Sequence, residues 1–124
     1  MNVIPSSSPT YGGGVSCVAQ FFQRPTSAVI AYNDIMAIGF MAAMKDCDFK
    51  VPEKVSVAGI DDIPISAIVS PALSTVRIDR ALIGQTATDE LIGQLRGGNL
   101  RRSLKPIMIG SRFVMRSSVG AVGD

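Results

Sequence analysis

The sequence predicts an α/β fold, a parallel sheet flanked by helices. Three short runs, AVIAY, VSVAGI and LSTVRI, are rich in apolar and β-branched residues, as the strands of buried parallel sheets are. Segments with apolar residues at helical spacing alternate with these runs. Such alternation indicates a parallel sheet joined by right-handed crossovers. At 124 residues the chain has room for one core.

The first half of the chain is predicted to form a helix, a strand and a second helix. Residues 1–9 are rich in Pro and Ser and are predicted to be irregular, and Thr10 is a candidate N-cap for a helix over residues 11–23. AVIAY at residues 28–32 is predicted to be a strand buried on both faces. The apolar segment 34–45 follows it directly as a helix.

The second half continues the pattern. Residues 55–60 are predicted to form a buried strand, followed by a loop that contains prolines, and residues 73–78 form a third strand. Residues 79–96 carry apolar side chains at helical spacing and predict a long helix. After Pro106, the segments IMIG and RFVMR are predicted to form two short strands or one bent strand.

The composition excludes several kinds of catalytic and metal site. The chain has no His, no Trp and two Cys, so it lacks the Cys-His and Ser-His nucleophile systems and the ligands of His-containing or four-cysteine zinc sites. We therefore expect no enzyme activity, no catalytic residue, no metal and no cofactor. Cys17 and Cys47 lie far apart, in or beside helical segments, which favours two reduced core residues over a disulfide.

The charge balance bears on partners and location. The net charge of +2 is short of the strongly basic balance of a DNA-binding domain. Charged residues make up 18% of the chain, against about 25% in ordinary globular domains, so part of the surface is predicted to be covered by a partner. The sequence shows no secretory leader and no membrane-spanning run, and we expect a cytoplasmic protein.

Polar residues follow the first two predicted strands, where ligands bind in open parallel sheets. Asn33-Asp34 comes after the first strand and Asp61-Asp62 after the second. An amide that donates and accepts hydrogen bonds, beside a carboxylate that accepts two, suits the vicinal hydroxyls of a sugar or a similar molecule. The alternative is that Asp34 is only a helix N-cap and Asp61-Asp62 only a turn.

A further alternative treats Asp34, Asp61 and Asp62 as a magnesium site for phosphoryl transfer, because clustered carboxylates suit hard cations. The sequence has no Gly-x-x-x-x-Gly-Lys phosphate loop, and Cys17 stands where the third glycine of a dinucleotide-binding motif would follow residues 12–14. Both observations argue against this alternative.

Four motifs, AYNDIMAIG, VPEKVSVAGIDD, PALSTVR and the terminal RSSVG, occur in order along the chain. In sequence and spacing they resemble the LacI/GalR family of bacterial transcription regulators, from Pro25 nearly to the end. The resemblance implies the C-terminal subdomain of a type I periplasmic-binding-protein-like fold, truncated. Residues 1–77 and 109–124 would form that subdomain, and residues 78–108 would pack on an N-subdomain outside the chain.

The resemblance also implies a function. The chain would be the effector-binding and dimerisation portion of a regulator that reaches operator DNA only through a headpiece the chain lacks. The effector would be a sugar, a sugar acid or a related small metabolite, and the protein partner a second copy, with no membrane involved. The alternative is a fragment of a sugar-binding transport protein of the same fold.

Site residues follow from the matched positions. The resemblance implies that Asn33 and Asp61 hydrogen-bond the effector. Arg80 matches a position at the pocket wall, where a cation would suit a sugar acid, and a solvent-facing arginine is the alternative. The family's dimer contacts match Ile38 and the pair Ile68-Val69.

The long helix at residues 79–96 raises a separate question of burial. Burying one large apolar side chain contributes about 1.5–3 kcal/mol, so its apolar face is not expected to remain in water. We predict that the helix folds back on its own sheet or packs against another copy.

Overall fold

The computed structural model describes residues 2–96 and 106–121. These residues fall into two compact units, one extending up to Arg77 and resuming at Arg112, the other lying between Ile78 and Ser111. The elements, in chain order, are α1 (Tyr11–Gln23), β1 (Ala28–Ile30), α2 (Asp34–Asp46), β2 (Ser56–Asp61), a short 3-10 helix (Pro64–Ala67), β3 (Ser74–Ile78), α3 (Arg80–Arg96) and β4 (Ser111–Val114).

The strands form one sheet in the order β1-β2-β3-β4, and β2 runs parallel to both β1 and β3. The predicted α/β fold with a parallel sheet is confirmed. After Pro106 the described residues contain a single strand, β4, and IMIG lies outside it, so the prediction that both segments are in strands is wrong. The prediction of a first strand buried on both faces is wrong: β1 lies at the edge of the described sheet, and Ile30 is 77% exposed.

The first helix begins where the sequence predicts. Thr10 caps α1, and its Oγ1 accepts a hydrogen bond from the backbone N–H of Gly13 at 3.2 Å. In this first turn, Gly14 allows close packing against α2. A Cβ at Gly14 would lie 2.0 Å from the carbonyl oxygen of Met36, so only glycine allows the two helices to approach this closely.

The core of the first unit lies between the sheet and these two helices. Its fully buried members include Phe21, Met44, Val57 and Leu73. Both cysteines are free thiols, as predicted, but only Cys17 is buried, while Cys47 is exposed at the C-cap of α2. The prediction of a core position for Cys47 is therefore wrong, because the helix ends before it.

The second unit contains α3, which has no buried residue. The Oδ1 atom of Asp79 accepts from the backbone N–H of Leu82 at 2.9 Å and caps the helix. Leu91 and Leu95 are 58% and 69% exposed. That α3 folds back on its own sheet or packs against another copy stays a prediction. Nowhere in residues 2–96 and 106–121 is there a helix long and apolar enough to cross a membrane.

Candidate functional site

The two residues predicted to bind an effector lie at the same end of the sheet. β1 pairs with β2 in parallel, with Ala28 opposite Ser56 and Ile30 opposite Ala58. Asn33 follows the end of β1, and Asp61 is the last residue of β2, so both lie at the carboxyl ends of neighbouring parallel strands. Both residues are half-buried, so each is held by its surroundings and still reachable from solvent.

Asn33 has two structural duties. Its Oδ1 accepts from the backbone N–H of Met36 at 2.8 Å, which makes Asn33 the N-cap of α2. Its Nδ2 donates to the carbonyl oxygen of Pro9 at 3.0 Å. The alternative that Asp34 is the N-cap is therefore wrong. Since an amide nitrogen carries two N–H groups, Asn33 has the capacity to donate a further hydrogen bond.

Asp34 is instead a buried connection between three elements, with 0% exposure. Its Oδ2 accepts from the Ile63 N–H at 3.0 Å and from the Ser66 hydroxyl at 2.6 Å. Its Oδ1 accepts from the Thr75 hydroxyl at 2.5 Å. A Cβ at Gly59 would lie 2.2 Å from that oxygen, which explains the glycine in the middle of β2. This carboxylate therefore has no free face for a ligand.

Asp62 forms ion pairs with two arginines. Its Oδ2 accepts from the Nε of Arg77, and its Oδ1 accepts from the Nη2 of Arg116 at 2.6 Å. Burial alone would raise the pKa of the Asp62 carboxyl, but the hydrogen bonds and charges of Arg116 and Arg77 outweigh it and hold the pKa below its ordinary value. With its side chain 4% exposed, Asp62 is more than a turn residue.

The backbone is strained at Asp61 and Asp62, the corner at the end of β2. The φ angles are 120° at Asp61 and 53° at Asp62, in the region that favours glycine. Conformations of this kind cost on the order of 1–3 kcal/mol each and persist only where surrounding contacts enforce them. They cluster at functional sites, and here they occur at the residue predicted to bind the effector.

Sequence reasoning missed the ion pairs of Asp62. Its partners Arg77 and Arg116 are 15 and 54 residues away along the chain. Both arginines stand in motifs that carried the family resemblance, PALSTVR and RSSVG. The available signal was therefore one arginine in each of these two motifs, but no local spacing linked either of them to Asp62.

The other predicted residues lie elsewhere. Arg80 is the exposed first residue of α3 and belongs to the second unit. Ile38 and Val69 are partly buried and pack against the core of the first unit. Ile68 is 79% exposed beside the 3-10 helix, so of the three predicted dimer contacts it is the one most available to a partner.

A cleft of about 1260 Å³ lies elsewhere in the first unit, beside β1. It is bordered by residues 2–9, by one side of α1 and by residues 28–32, and neither Asn33 nor Asp61 lines it. The candidate site is therefore defined by the ends of the strands and the chemistry of their side chains, and not by this cleft.

Comparison with known proteins gives a consistent result. The model of a family described as "Periplasmic binding protein-like domain" matches residues 4–119. The lactose operon repressor of Rhizobium radiobacter is 36% identical over 95 residues, which cover 77% of this chain and 80% of that protein.

Two solved structures carry the comparison into three dimensions. The Escherichia coli transcriptional repressor ascG superposes with a TM-score of 0.79 and 38% identity, covering 90% of this chain and 40% of that one. A LacI family transcriptional regulator from Arthrobacter sp. FB24, solved in complex with lactose, gives a TM-score of 0.80 and 32% identity over 90% of this chain and 42% of that one.

Most curated relatives are much longer than the matched region. The chain spans 26% of the regulator GalS of Salmonella typhimurium and 34% of AscG of Escherichia coli. These 124 residues thus correspond to a part of such regulators.

Proposed function

We propose that this chain, which belongs to the periplasmic binding protein-like domain family and within it to the LacI/GalR-type transcription regulators, supplies one half of a sugar-binding effector site. The observation that carries the proposal is the position of Asn33 and Asp61 at the same end of neighbouring parallel strands. In open α/β sheets this end is where ligands bind. The lactose complex of the Arthrobacter relative supports a sugar as the class of ligand.

The side chains suit that ligand. The amide of Asn33 has the capacity for one more N–H donation, and the carboxylate of Asp61 accepts hydrogen bonds from hydroxyl groups. A donor and an acceptor at adjacent strand ends match the two roles of a sugar hydroxyl. Arg80 would favour an acidic sugar if it faces the same ligand.

We propose that the chain is the C-terminal part of the effector-binding core of a larger transcription regulator. Residues 1–77 and 109–124 would form the subdomain carrying Asn33 and Asp61, and residues 78–108 would pack against a second subdomain. Division of the described chain at Arg77 and Arg112 supports this arrangement. An effector bound between the two subdomains would favour one of their two relative orientations, because its affinity differs between them. This preference would change how tightly a DNA-binding headpiece, outside these residues, binds the operator.

We also propose that the protein acts as a homodimer in the cytoplasm and has no catalytic activity. Ile68, 79% exposed, would lie in the dimer contact, and Ile38 and Val69 would support it from the core. Transcription regulators act on DNA inside the cell, and the relatives named above are regulators and not enzymes.

The alternative functions have less support. A transport protein of the same fold would bind sugar through the same residues, but the curated relatives named above are regulators. A magnesium site would need free carboxylates, whereas Asp34 accepts three hydrogen bonds and Asp62 pairs with two arginines.

The test is a titration of the 124-residue chain with lactose, glucose and gluconate, followed by amide NMR. We expect at least one sugar to shift the amide signals around Asn33 and Asp61, with weak affinity because half of the site is missing. The variant Asp61→Asn should raise the Kd by about tenfold, as loss of a hydrogen bond to a charged group does. The variant Arg80→Gln should weaken gluconate selectively if Arg80 faces the ligand.

Asp48→Asn provides the matched control, since Asp48 also has a positive φ, of 55°, and lies at the other end of α2. It should bind as the wild type does. Absence of any sugar-dependent shift at Asn33 and Asp61, or equal affinity of Asp61→Asn and wild type, would contradict the proposal.

A further inference from the structure

The strained corner needs contacts on both sides to keep its shape. Asp61 and Asp62 have φ angles of 120° and 53°, and without support such residues relax to negative φ. On the C-terminal side, the N–H of Ile63 donates to the buried carboxylate of Asp34 at 3.0 Å. On the other side, the backbone N–H of Asp62 donates to Thr75 Oγ1 at 3.4 Å, and the side chain of Asp62 adds further support.

That side chain is anchored to well-fixed partners. Arg116 binds Asp62 through Nη2 at 2.6 Å, and its Nη1 donates to the carbonyl oxygen of Leu73 at 2.7 Å. The backbone N–H of Arg116 donates to the Ser74 hydroxyl at 2.8 Å. Arg77, the other partner, lies in β3 directly opposite Asp61 in the sheet register.

We infer that Asp62 is a positioning residue, which holds the backbone of Asp61 in the conformation that presents the Asp61 carboxylate to the effector. Its own carboxylate is 4% exposed, and each oxygen accepts from an arginine, so it acts through Asp61 and not by touching the ligand. The inference rests on the proposed function for the binding part, and its structural part can be measured without any ligand.

The first experiment compares Asp62→Asn with wild type and with the control Asp48→Asn. Circular dichroism reports folding, the three-bond HN–Hα coupling of Asp61 reports its φ, and titration with the sugar that binds wild type reports affinity. We expect Asp62→Asn to stay folded, to change the coupling at Asp61 and to raise the Kd about tenfold, while Asp48→Asn changes neither quantity. A folded Asp62→Asn with unchanged coupling and unchanged Kd would overturn the inference.

A second comparison tests whether Asp62 sets the backbone conformation of Asp61 or only joins two segments through its ion pairs. Asp62→Ala and Asp62→Gly both remove the ion pairs, but only glycine adopts a φ near 53° without strain. We expect Asp62→Gly to recover part of the sugar affinity that Asp62→Ala loses. Equal losses in the two variants would show that the ion pairs only hold the segments together, and would overturn the inference.

Two further outcomes are covered. If Asp62→Asn does not fold, Arg77→Gln removes one of the two contacts from a side chain that is 42% exposed; it should change the Asp61 coupling in the same direction, and an unchanged coupling would overturn the inference. If no sugar binds wild type, the proposed function fails, while the Asp61 coupling in Asp62→Asn still decides whether Asp62 holds this backbone.

Discussion

The two units of the chain differ in what they bury. In the described part of the chain, every buried residue lies in the first unit, whose fully buried members include Met44 and Leu73. In the second unit α3 buries nothing, although Leu91 and Leu95 are as apolar as the core leucine. Folding stability of the chain therefore resides in the first unit, and α3 presents an apolar face to its surroundings.

Polar groups follow the same division. The first unit encloses two carboxylates, Asp34 with three donors and Asp62 with two arginines. In α3, by contrast, Gln94 Nε2 donates to Glu90 Oε1 at 3.1 Å on an exposed surface. A buried and partnered charge is costly to disturb, whereas an exposed pair contributes little. The comparison thus predicts that matched substitutions change the free energy of unfolding much more in the first unit than in α3.

The largest contrast is expected between two identical truncations. Leu73→Ala removes a side chain with 0% exposure and should lower the free energy of unfolding by about 2–5 kcal/mol. Leu91→Ala, at 58% exposure, should change it by about 0.5 kcal/mol or less. Urea denaturation followed by circular dichroism measures both. Similar losses would mean that α3 is covered in solution to the same degree as the core.

A matched pair of acidic substitutions comes next. Asp34→Asn keeps the volume but replaces an acceptor oxygen that faces hydroxyl and amide donors, so it should cost about 3 kcal/mol. Asp89→Asn, on the exposed surface of α3, should be neutral within about 0.5 kcal/mol. The same denaturation experiment compares them. A neutral Asp34→Asn would show that the corner does not depend on this carboxylate.

A smaller effect on the free energy of unfolding is expected when the pH is lowered. The folded state holds the pKa of Asp62 below the ordinary value of 3.8, so its contribution to the free energy of unfolding is complete above that value and is lost as the pH falls through the lowered pKa. Asp62→Asn should reduce stability at neutral pH and flatten this decline in acid. Urea midpoints across the acid range measure it, and parallel declines in both proteins would contradict the assignment.

Much of the fold could be predicted because its signals are local. Thr10 sits directly before α1 as its cap, and the bounds of α2 follow from a short apolar segment. Only the position of the candidate site could be predicted. Asn33 and Asp61 come at the ends of adjacent strands, which places them at one end of a parallel sheet. Which acid would be buried depends on Thr75, 41 residues from Asp34, and no local pattern encodes such a contact.

The burial of β1 and α3 could not be settled from the sequence for a related reason. Hydrophobicity of the run AVIAY and of residues 79–96 predicts that something covers them, but it does not say what. The described residues place β1 at an edge and leave α3 with no buried residue. For β1 the predicted burial on both faces is wrong, whereas the prediction that α3 folds back on its own sheet or packs against another copy stays a prediction.

The smallest effect on stability, and the sharpest test of the second unit, is expected from Leu91→Gln combined with Leu95→Gln. Both side chains are more than half exposed, so the unfolding free energy should stay within about 0.5 kcal/mol of wild type. If another copy covers α3, wild type should show a concentration-dependent mass in sedimentation equilibrium, and the double variant should shift toward the monomer. A change at another exposed position of α3, Gln85→Ala, should leave the mass unchanged. A wild type that stays monomeric at every concentration would remove the second copy as the cover of α3 and leave its apolar face for a longer chain to bury.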